Sequence, residues 1–509
     1  MSSASHALSL TGRFTQAVFG RSLGVGLPSI LWWILGAFAV LAALSPNPGI
    51  GFLGVAQMLF ISVILWRPGE PQALLFIVGF QWLQGFSPVL LALVEGEPIG
   101  KIMGGDEFES ATVLTLLATG VFALGLRTAA RRLERTEESH LRKGLRSLKR
   151  SRLMLAWIVL TVATTALAVV GDALPALRQG LIAIEIWKWA VVLMLFFRWL
   201  ASGRGGVAAM TVLLVEVGIG MMGYFSSFKE VFFILLLAGT GVFAIGKKKV
   251  GALLGIVVCL LVFAGFWQAI KVPYRDFLSQ GERAQVVNVS VSERIAWLRK
   301  AVFEVDREAM ATGGSEGLKR LGYVEYFGHA LHAVPALIPH TDGLLWKEAL
   351  LHPLMPRLLF PDKLAINDSD RTNAYTGMHV ADEEQGTSIS IGYVGESYID
   401  FGRWGMFAVI YLWGWLAGWC YQFLRRHAPH PLLGSALGSC LLLSTVMLLE
   451  TSNIKMTGSL LAGFLVTAVL MRFFGEGVWK WLTVMPTSNV RRARSPKIRN
   501  VRRETAAQP

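Results

Sequence analysis

The sequence predicts an all-α membrane protein of about twelve transmembrane helices, with a large, partly helical loop between the ninth and tenth. Three observations carry this. Only 16% of the 509 residues are charged, against roughly 25% in a soluble domain. The mean hydropathy is +0.52. Apolar runs of about 18 to 22 residues recur along the chain, each long enough to cross a bilayer. Backbone groups in lipid must be satisfied within their own segment, so these runs are helices. The two-residue alternation of a barrel strand is absent.

The runs fall at 28–45, 51–66, 72–94, 110–126, 153–170, 179–199, 206–224, 229–246, 250–270, 405–424, 431–449 and 459–478. Arg13 and Arg21 precede the first run, but no small-residue cleavage site follows it, so it reads as a retained helix. Orientation follows from the loops. With twelve spans and the N-terminus inside, one side collects Arg67, the cluster Arg127 to Arg152, Arg198, Arg204, Lys247 to Lys249, Arg425, Arg426 and the tail from Arg491 to Arg503. The short loops opposite are poor in Lys and Arg. Every short loop then obeys the positive-inside rule, with both termini cytoplasmic. Removing one helix would place the 127–152 cluster and the Lys247 triplet on opposite sides. The organisation is therefore a bundle of nine helices over 1–270, an outer loop over 271–403, three helices over 404–480 and a basic tail over 481–509.

The net charge of +14 sits in clusters at helix ends, where it anchors against anionic lipid. No folded basic domain accompanies it, which argues against a nucleic-acid partner. The three cysteines, Cys259, Cys420 and Cys440, lie inside apolar runs and form neither a disulfide framework nor a CxxC site.

The long loop alternates helical patterns with turns. Ser290 and Glu293 form a capping-box pattern before a helix with Ile295, Leu298, Val302 and Val305 on one face. Such a helix suits a membrane surface or a cover on the bundle. A second pattern runs from Glu316 to about Ala333 and is broken by Pro335 and Pro339. A third, Leu344 to Leu351, stops at Pro353 and Pro356.

Charged residues inside the runs are the first candidates for function, because intramembrane charge is costly and usually lines a cavity. Glu185 and Lys188, three apart, share a face and can pair; Glu216 lies in the seventh run. The bland reading is a pair that only locks helix packing. The turn Phe225 to Glu230 sets Lys229 and Glu230 at the outer mouth of the bundle, where they serve as substrate-binding groups or as an interfacial anchor. In the loop, Arg320, Arg357 and Arg371, with Lys363, offer forked and point-charge donors to phosphate. A salt-bridged surface is the alternative. Glu396 stands between Tyr393 and Tyr398 just before the tenth run, a pattern suited to sugar binding or base catalysis beyond what a helix cap explains. The loop histidines, His329, His332, His340, His352 and His379, lack an acidic partner at ligand spacing, so no metal is expected. Asp368-Ser369-Asp370 matches a nucleotide-sugar DxD, but no α/β nucleotide domain accompanies it.

Four of these features occur together in a known family. The small-residue turn Ser226-Ser227-Phe228-Lys229, the long outer loop, the Pro-Arg-x-x-x-Pro-x-Lys segment Pro356 to Lys363, and the Gly-x-x-Gly-Glu-x-Tyr-x-x-Phe-Gly-x-x-Gly segment Gly392 to Gly405 resemble the Wzy-type O-antigen and exopolysaccharide repeat-unit polymerases of bacterial inner membranes. The resemblance implies a GT-C-like glycosyltransferase that is independent of metal and nucleotide and needs no cofactor. Its donor would be a polyprenyl-diphosphate-linked glycan and its acceptor the sugar end of a second lipid-linked repeat. A chain-length regulator and a flippase join membrane lipid as implied partners. Glu396 and Arg320 then become the catalytic candidates. Lys229, Glu230, Arg357, Lys363, Arg371, Glu216 and Tyr393 become the substrate-binding ones. The donor carries its own diphosphate leaving group, so cations suffice to stabilise it, and a carboxylate can deprotonate the acceptor hydroxyl. An O-antigen ligase and a polysaccharide transporter or flippase component are the alternatives.

Overall fold

The structure is a computed structural model that describes residues 27–67, 71–130, 138–173, 178–224, 227–240, 247–281, 287–305, 317, 321–322, 324–355, 360, 366–380 and 388–483. Its regular elements are helices; the one extended pairing among the described residues is an isolated antiparallel bridge between Leu148 and Thr483. Each of the twelve apolar runs falls on a helix. These are α1 (Ser29–Leu44), α2 (Pro48–Leu65), α3 (Ala73–Glu95), α5 (Glu107–Ala130), α7 (Arg150–Ala173), α8 (Arg178–Ser202), α9 (Gly206–Met221), α10 (Phe228–Thr240), α11 (Lys247–Ser279), α16 (Tyr393–His427), α17 (Pro431–Thr445) and α18 (Asn453–Leu482). Two short helices lie among them, α4 (Ile99–Met103) and α6 (Glu138–Ser147). The long connection holds α12 (Val291–Glu304), α13 (Val324–Ala333), α14 (Leu344–Leu351) and α15 (Asp368–Thr376).

Seven described helices are long and apolar enough to cross a membrane, and α1, α9 and α17 are shorter apolar helices. This is the composition and length expected of a membrane protein.

Two helices organise the bundle. α5 packs against α2, α3, α13 and, most extensively, α16. The α5–α16 contact is close because both helices present glycine: a Cβ on Gly414 or Gly125 would run into the facing backbone at Phe122 or Tyr411. Small residues at helix crossings allow this backbone approach. α8 is the second hub, against α7, α10, α17 and α18. It is buried continuously from Ile186 to Phe197, as a helix apolar on all sides must be.

α16 is two helices joined at Gly402, whose backbone (φ 68°, ψ −174°) is not helical. Tyr393 packs its ring 6.2 Å from that of Phe122, and Gly414 abuts the Phe122 carbonyl. In a straight helix those two residues would lie about 32 Å apart. Trp346 likewise donates to Ser397 Oγ at 2.9 Å while its ring lies 5.9 Å from Trp413. The half-helix Tyr393–Phe401 therefore doubles back against the segment after Gly402, and it carries Tyr393, Glu396 and Asp400 into the interior.

The connection is docked onto the bundle. Ser290 and Glu293 make both hydrogen bonds of the predicted capping box on α12. Arg294 Nη1 donates to the Met222 carbonyl at 2.6 Å, and Trp297 lies 4.9 Å from the Tyr274 ring on α11. Gly328 on α13 is pressed against Phe108 at the start of α5. Asp400 accepts the backbone N–H groups of Leu345 (3.0 Å) and Trp346 (2.8 Å), so a residue of the half-helix caps α14.

Candidate functional site

Two buried charge centres are described. The first gathers on the half-helix. Glu396 is 1% exposed. Its Oε2 accepts the backbone N–H of Asn453 at 2.7 Å, and its Oε1 lies 3.6 Å from Arg371 Nη1. Asn453 is the first residue of α18, so the carboxylate sits on a helix N-terminus, where unsatisfied N–H groups and the dipole favour an anion. Arg371, on α15, is held by Glu348 of α14 at 2.8 Å and donates to Asn453 Oδ1 at 3.4 Å. Lys455 pairs with Asp368 at 2.6 Å and donates to Ser388 Oγ at 2.9 Å. Asn367 places α15 by accepting from Ser369 and Asp370 as its N-cap, which gives the Asp368-Ser369-Asp370 segment a capped helix start. Tyr375, on the same helix, has its phenol pKa raised by burial and lies within electrostatic reach of Arg371, Glu348, Asp400 and Glu396.

Around this centre several buried polar atoms have no hydrogen-bond partner among the described residues: Ser452 Oγ, Asn453 Nδ2, Thr457 Oγ1 and Asp368 Oδ1. They mix donors and acceptors, a set that suits hydroxyl groups. A small apolar cavity abuts the half-helix one residue from Glu396, lined by Thr115, Val324, Phe327, Ile391, Val394, Gly395 and Leu449. Tyr393 lies on the same half-helix, fully buried, and its hydroxyl donates to Gln81 Oε1 at 3.1 Å.

The second centre lies between α7, α8 and α9. Lys188 Nζ is 3.1 Å from Glu216 Oε2 and 3.6 Å from Glu185 Oε1. Trp157 Nε1 donates to Glu216 Oε1 at 2.7 Å, with Thr161 Oγ1 at 3.4 Å. Lys188 and Glu216 are both nearly inaccessible, and Lys188 also sits 4.1 Å over the Trp189 ring. Glu230, at the start of α10, is within electrostatic reach of Glu185, Lys188, Lys229 and Glu216, while Lys229 itself is exposed.

Of the residues singled out in the sequence, Glu396 and Arg371 come together, and Glu216 joins the Glu185–Lys188 pair. Tyr393 shares the half-helix with Glu396 but bonds to α3. Glu396 is enclosed by protein rather than set at a water boundary. Arg320, Arg357 and Lys363 lie outside the described residues. The loop histidines go separate ways: His329 against the Phe108 ring, His332 to Glu107 at 3.1 Å, His340 to the Ile399 carbonyl at 3.1 Å. Sequence reading missed Glu348, Asp400, Asn453 and the Gln84–Glu450 contact between α3 and the turn before α18. Only Asp400 had a local signal, lying four residues after Glu396.

A model of the family described as a domain of unknown function, DUF8712, matches residues 114–453. The match covers Glu396, Arg371 and the Lys188–Glu216 pair and ends at Asn453, two residues short of Lys455. No curated protein and no solved structure matches the chain.

Proposed function

The chain belongs to the DUF8712 family, and we propose that it is a membrane-embedded glycan transferase joining polyprenyl-diphosphate-linked oligosaccharide repeat units into O-antigen or exopolysaccharide. The observation that supports this best is the pairing of Glu396 with Arg371 on a helix N-terminus, beside unpaired hydroxyl-compatible groups and an apolar cavity. In this reading the work is done at the periplasmic side of a bacterial inner membrane, with both termini cytoplasmic.

The reaction balances without a cofactor. The acceptor hydroxyl oxygen attacks the anomeric carbon of the donor sugar, and its proton passes to the Glu396 carboxylate. The bond from the anomeric carbon to the diphosphate breaks, and polyprenyl diphosphate leaves with the electron pair. Arg371 holds Glu396 in place, Tyr393 holds the half-helix, and Lys229 with Arg320, Arg357 and Lys363 supplies positive charge to the leaving diphosphate. Glu230 and Glu216 lie on the approach to Lys229. General-base catalysis of this kind contributes roughly 10²–10⁴ in rate.

The test is reconstitution with lipid-linked repeats, sizing the product on a gel. Polymer made by the wild-type protein and only single repeats with Glu396→Gln support the reading. Transfer of a finished glycan to a second lipid, without polymer, would instead make it a ligase. The Lys188–Glu216 pair favours a second reading, a transporter or flippase component, since charge buried among apolar helices commonly lines a transport path. Movement of lipid-linked repeats across vesicles with no change in their length would establish that reading and remove the first.

A further inference from the structure

At the basic end of the bundle, three arginines gather with no carboxylate among the described residues to neutralise them. Arg150 is the first residue of α7, and its chain lies over Gly205, where a Cβ would stand 3.1 Å from Arg150 Cδ. Arg198, near the end of α8, is close enough to Arg150 for the two like charges to repel. Arg204 lies in the turn between α8 and α9, its backbone N–H donating to Ser202 Oγ at 3.2 Å. Among the described residues none of the three forms an ion pair with a carboxylate; Arg198 Nη1 reaches only the Leu145 carbonyl, at 3.3 Å.

Elementary electrostatics disfavours this arrangement. A cation at a helix N-terminus opposes the dipole, and Arg150 begins α7. Like charges in proximity add a further cost. α9 also begins here, at Gly206, without a side-chain cap on its N-cap Gly205. Its first N–H groups therefore face the same corner as the arginines. The Trp199 indole Nε1 stands 3.2 Å from where a Gly206 Cβ would be, and it makes no hydrogen bond among the described residues. The three guanidinium groups, the Trp199 indole and the first N–H groups of α9 are all donors, and an anion resolves each conflict at once.

We propose that Arg150, Arg198 and Arg204, with the Trp199 indole, bind the phosphate of an anionic phospholipid headgroup at this corner of the bundle. Guanidinium groups match phosphate oxygens in pairs. The apolar faces of α7 and α9 beside the corner, exposed at Leu155, Val159, Val207 and Met210, take the acyl chains. A free phosphate would satisfy the same donors but would make no use of those faces. The proposal is independent of the catalytic reading, since it uses no residue of either buried charge centre.

The experiment uses the full-length protein in neutral detergent, with native mass spectrometry and thermal unfolding read together. Phosphatidylglycerol is expected to stay bound and raise the unfolding temperature, with phosphatidylcholine doing neither. Arg150→Gln and Arg198→Gln should each weaken phosphatidylglycerol binding about ten-fold. Arg472→Gln, an exposed arginine of α18 outside the corner, should leave it unchanged. Equal retention by wild type and the Arg150→Gln/Arg198→Gln double variant overturns the proposal. So does equal weakening by Arg472→Gln, which would reveal only diffuse attraction. Protection by inorganic phosphate equal to that by phosphatidylglycerol overturns the lipid occupant and assigns the arginines to a soluble anion.

Discussion

Glu396 accepts the backbone N–H of Asn453 at 2.7 Å, so a carboxylate from one half-helix closes the N-terminus of the last helix in the bundle. The two residues are 57 apart in sequence, and the contact ties the α16 hairpin to α18. Any chemistry at Glu396 is therefore coupled to the packing of α18.

The contrast between two substitutions separates those roles. Glu396→Gln keeps an oxygen that accepts from Asn453 and removes the charge. It should fold and unfold near the wild-type temperature while the proposed glycan transfer is lost. Glu396→Ala leaves the Asn453 N–H unpaired in the interior, at a cost of about 1–3 kcal/mol. Its unfolding temperature should fall. Normal transfer by Glu396→Gln would reduce Glu396 to a cap.

Asp400 offers a structural counterpart. It accepts from Leu345 and Trp346 backbone N–H groups and from the Thr341 hydroxyl, and it is 1% exposed. Asp400→Ala removes the carboxylate that accepts the first-turn N–H groups of α14, a cap-like contact worth about 0.5–2 kcal/mol on its own, and leaves buried donors unmatched. Asp400→Asn should lose less. Thermal unfolding of the two variants in one detergent checks the order; Asn as damaging as Ala would contradict the capping role.

The helices were legible because lipid allows apolar runs few alternatives, and the Ser290–Glu293 capping box was legible because its partners are three residues apart. The hairpin at Gly402 was not. Hydropathy detects an apolar run at 405–424 but passes over Glu396, Ser397 and Asp400, whose polar groups are satisfied inside the protein. Periodicity also cannot report that a chain reverses direction. The same limit applies to Lys188. Helical spacing finds Glu185, three residues before it, at 3.6 Å, whereas its shorter ion pair at 3.1 Å is with Glu216 on another helix. Partners supplied by distant helices, as Glu348 and Asn453 are to Arg371, leave no local trace.

That ion pair gives the third prediction. Removing one partner of a buried pair strands the other charge and costs about 3–5 kcal/mol, whereas replacing both with apolar residues is often neutral. Lys188→Met or Glu216→Leu alone should lower membrane accumulation and unfolding temperature, and the double variant should recover most of both. A double variant as active in glycan transfer as wild type assigns the pair to packing. Loss of activity with stability restored assigns it a working role.

Topology is checked independently of chemistry. Reporter fusions at Thr128 and Lys248 should report the cytoplasm and one at Thr341 the opposite side. Thr128 lies in the last turn of α5 and Lys248 in the first turn of α11, whereas Thr341 bonds its N–H to the Ile399 carbonyl on the half-helix. A reversed signal at any one position would sink the twelve-span arrangement.

The last prediction concerns acid. His430 lies in the turn between α16 and α17, stacked between the His140 ring at 4.8 Å and the Trp479 ring at 4.3 Å. Its Nδ1 accepts the Leu432 N–H at 3.1 Å and caps α17, which requires an unprotonated nitrogen. Burial, and then the neighbouring His140, push its pKa down to about 4 from the ordinary 6.5. A base with a depressed pKa stabilises the fold fully above its unfolded value, and that stability is lost as protons bind the unfolded chain first. The protein should therefore hold a constant unfolding temperature above about pH 6.5 from this group and lose stability progressively from there towards pH 4. His430→Asn keeps a capping acceptor and removes the titration, so it should lower stability at pH 7.5 through lost stacking yet flatten the slope between pH 6.5 and pH 4. Parallel wild-type and His430→Asn profiles across that window would place the acid sensitivity elsewhere.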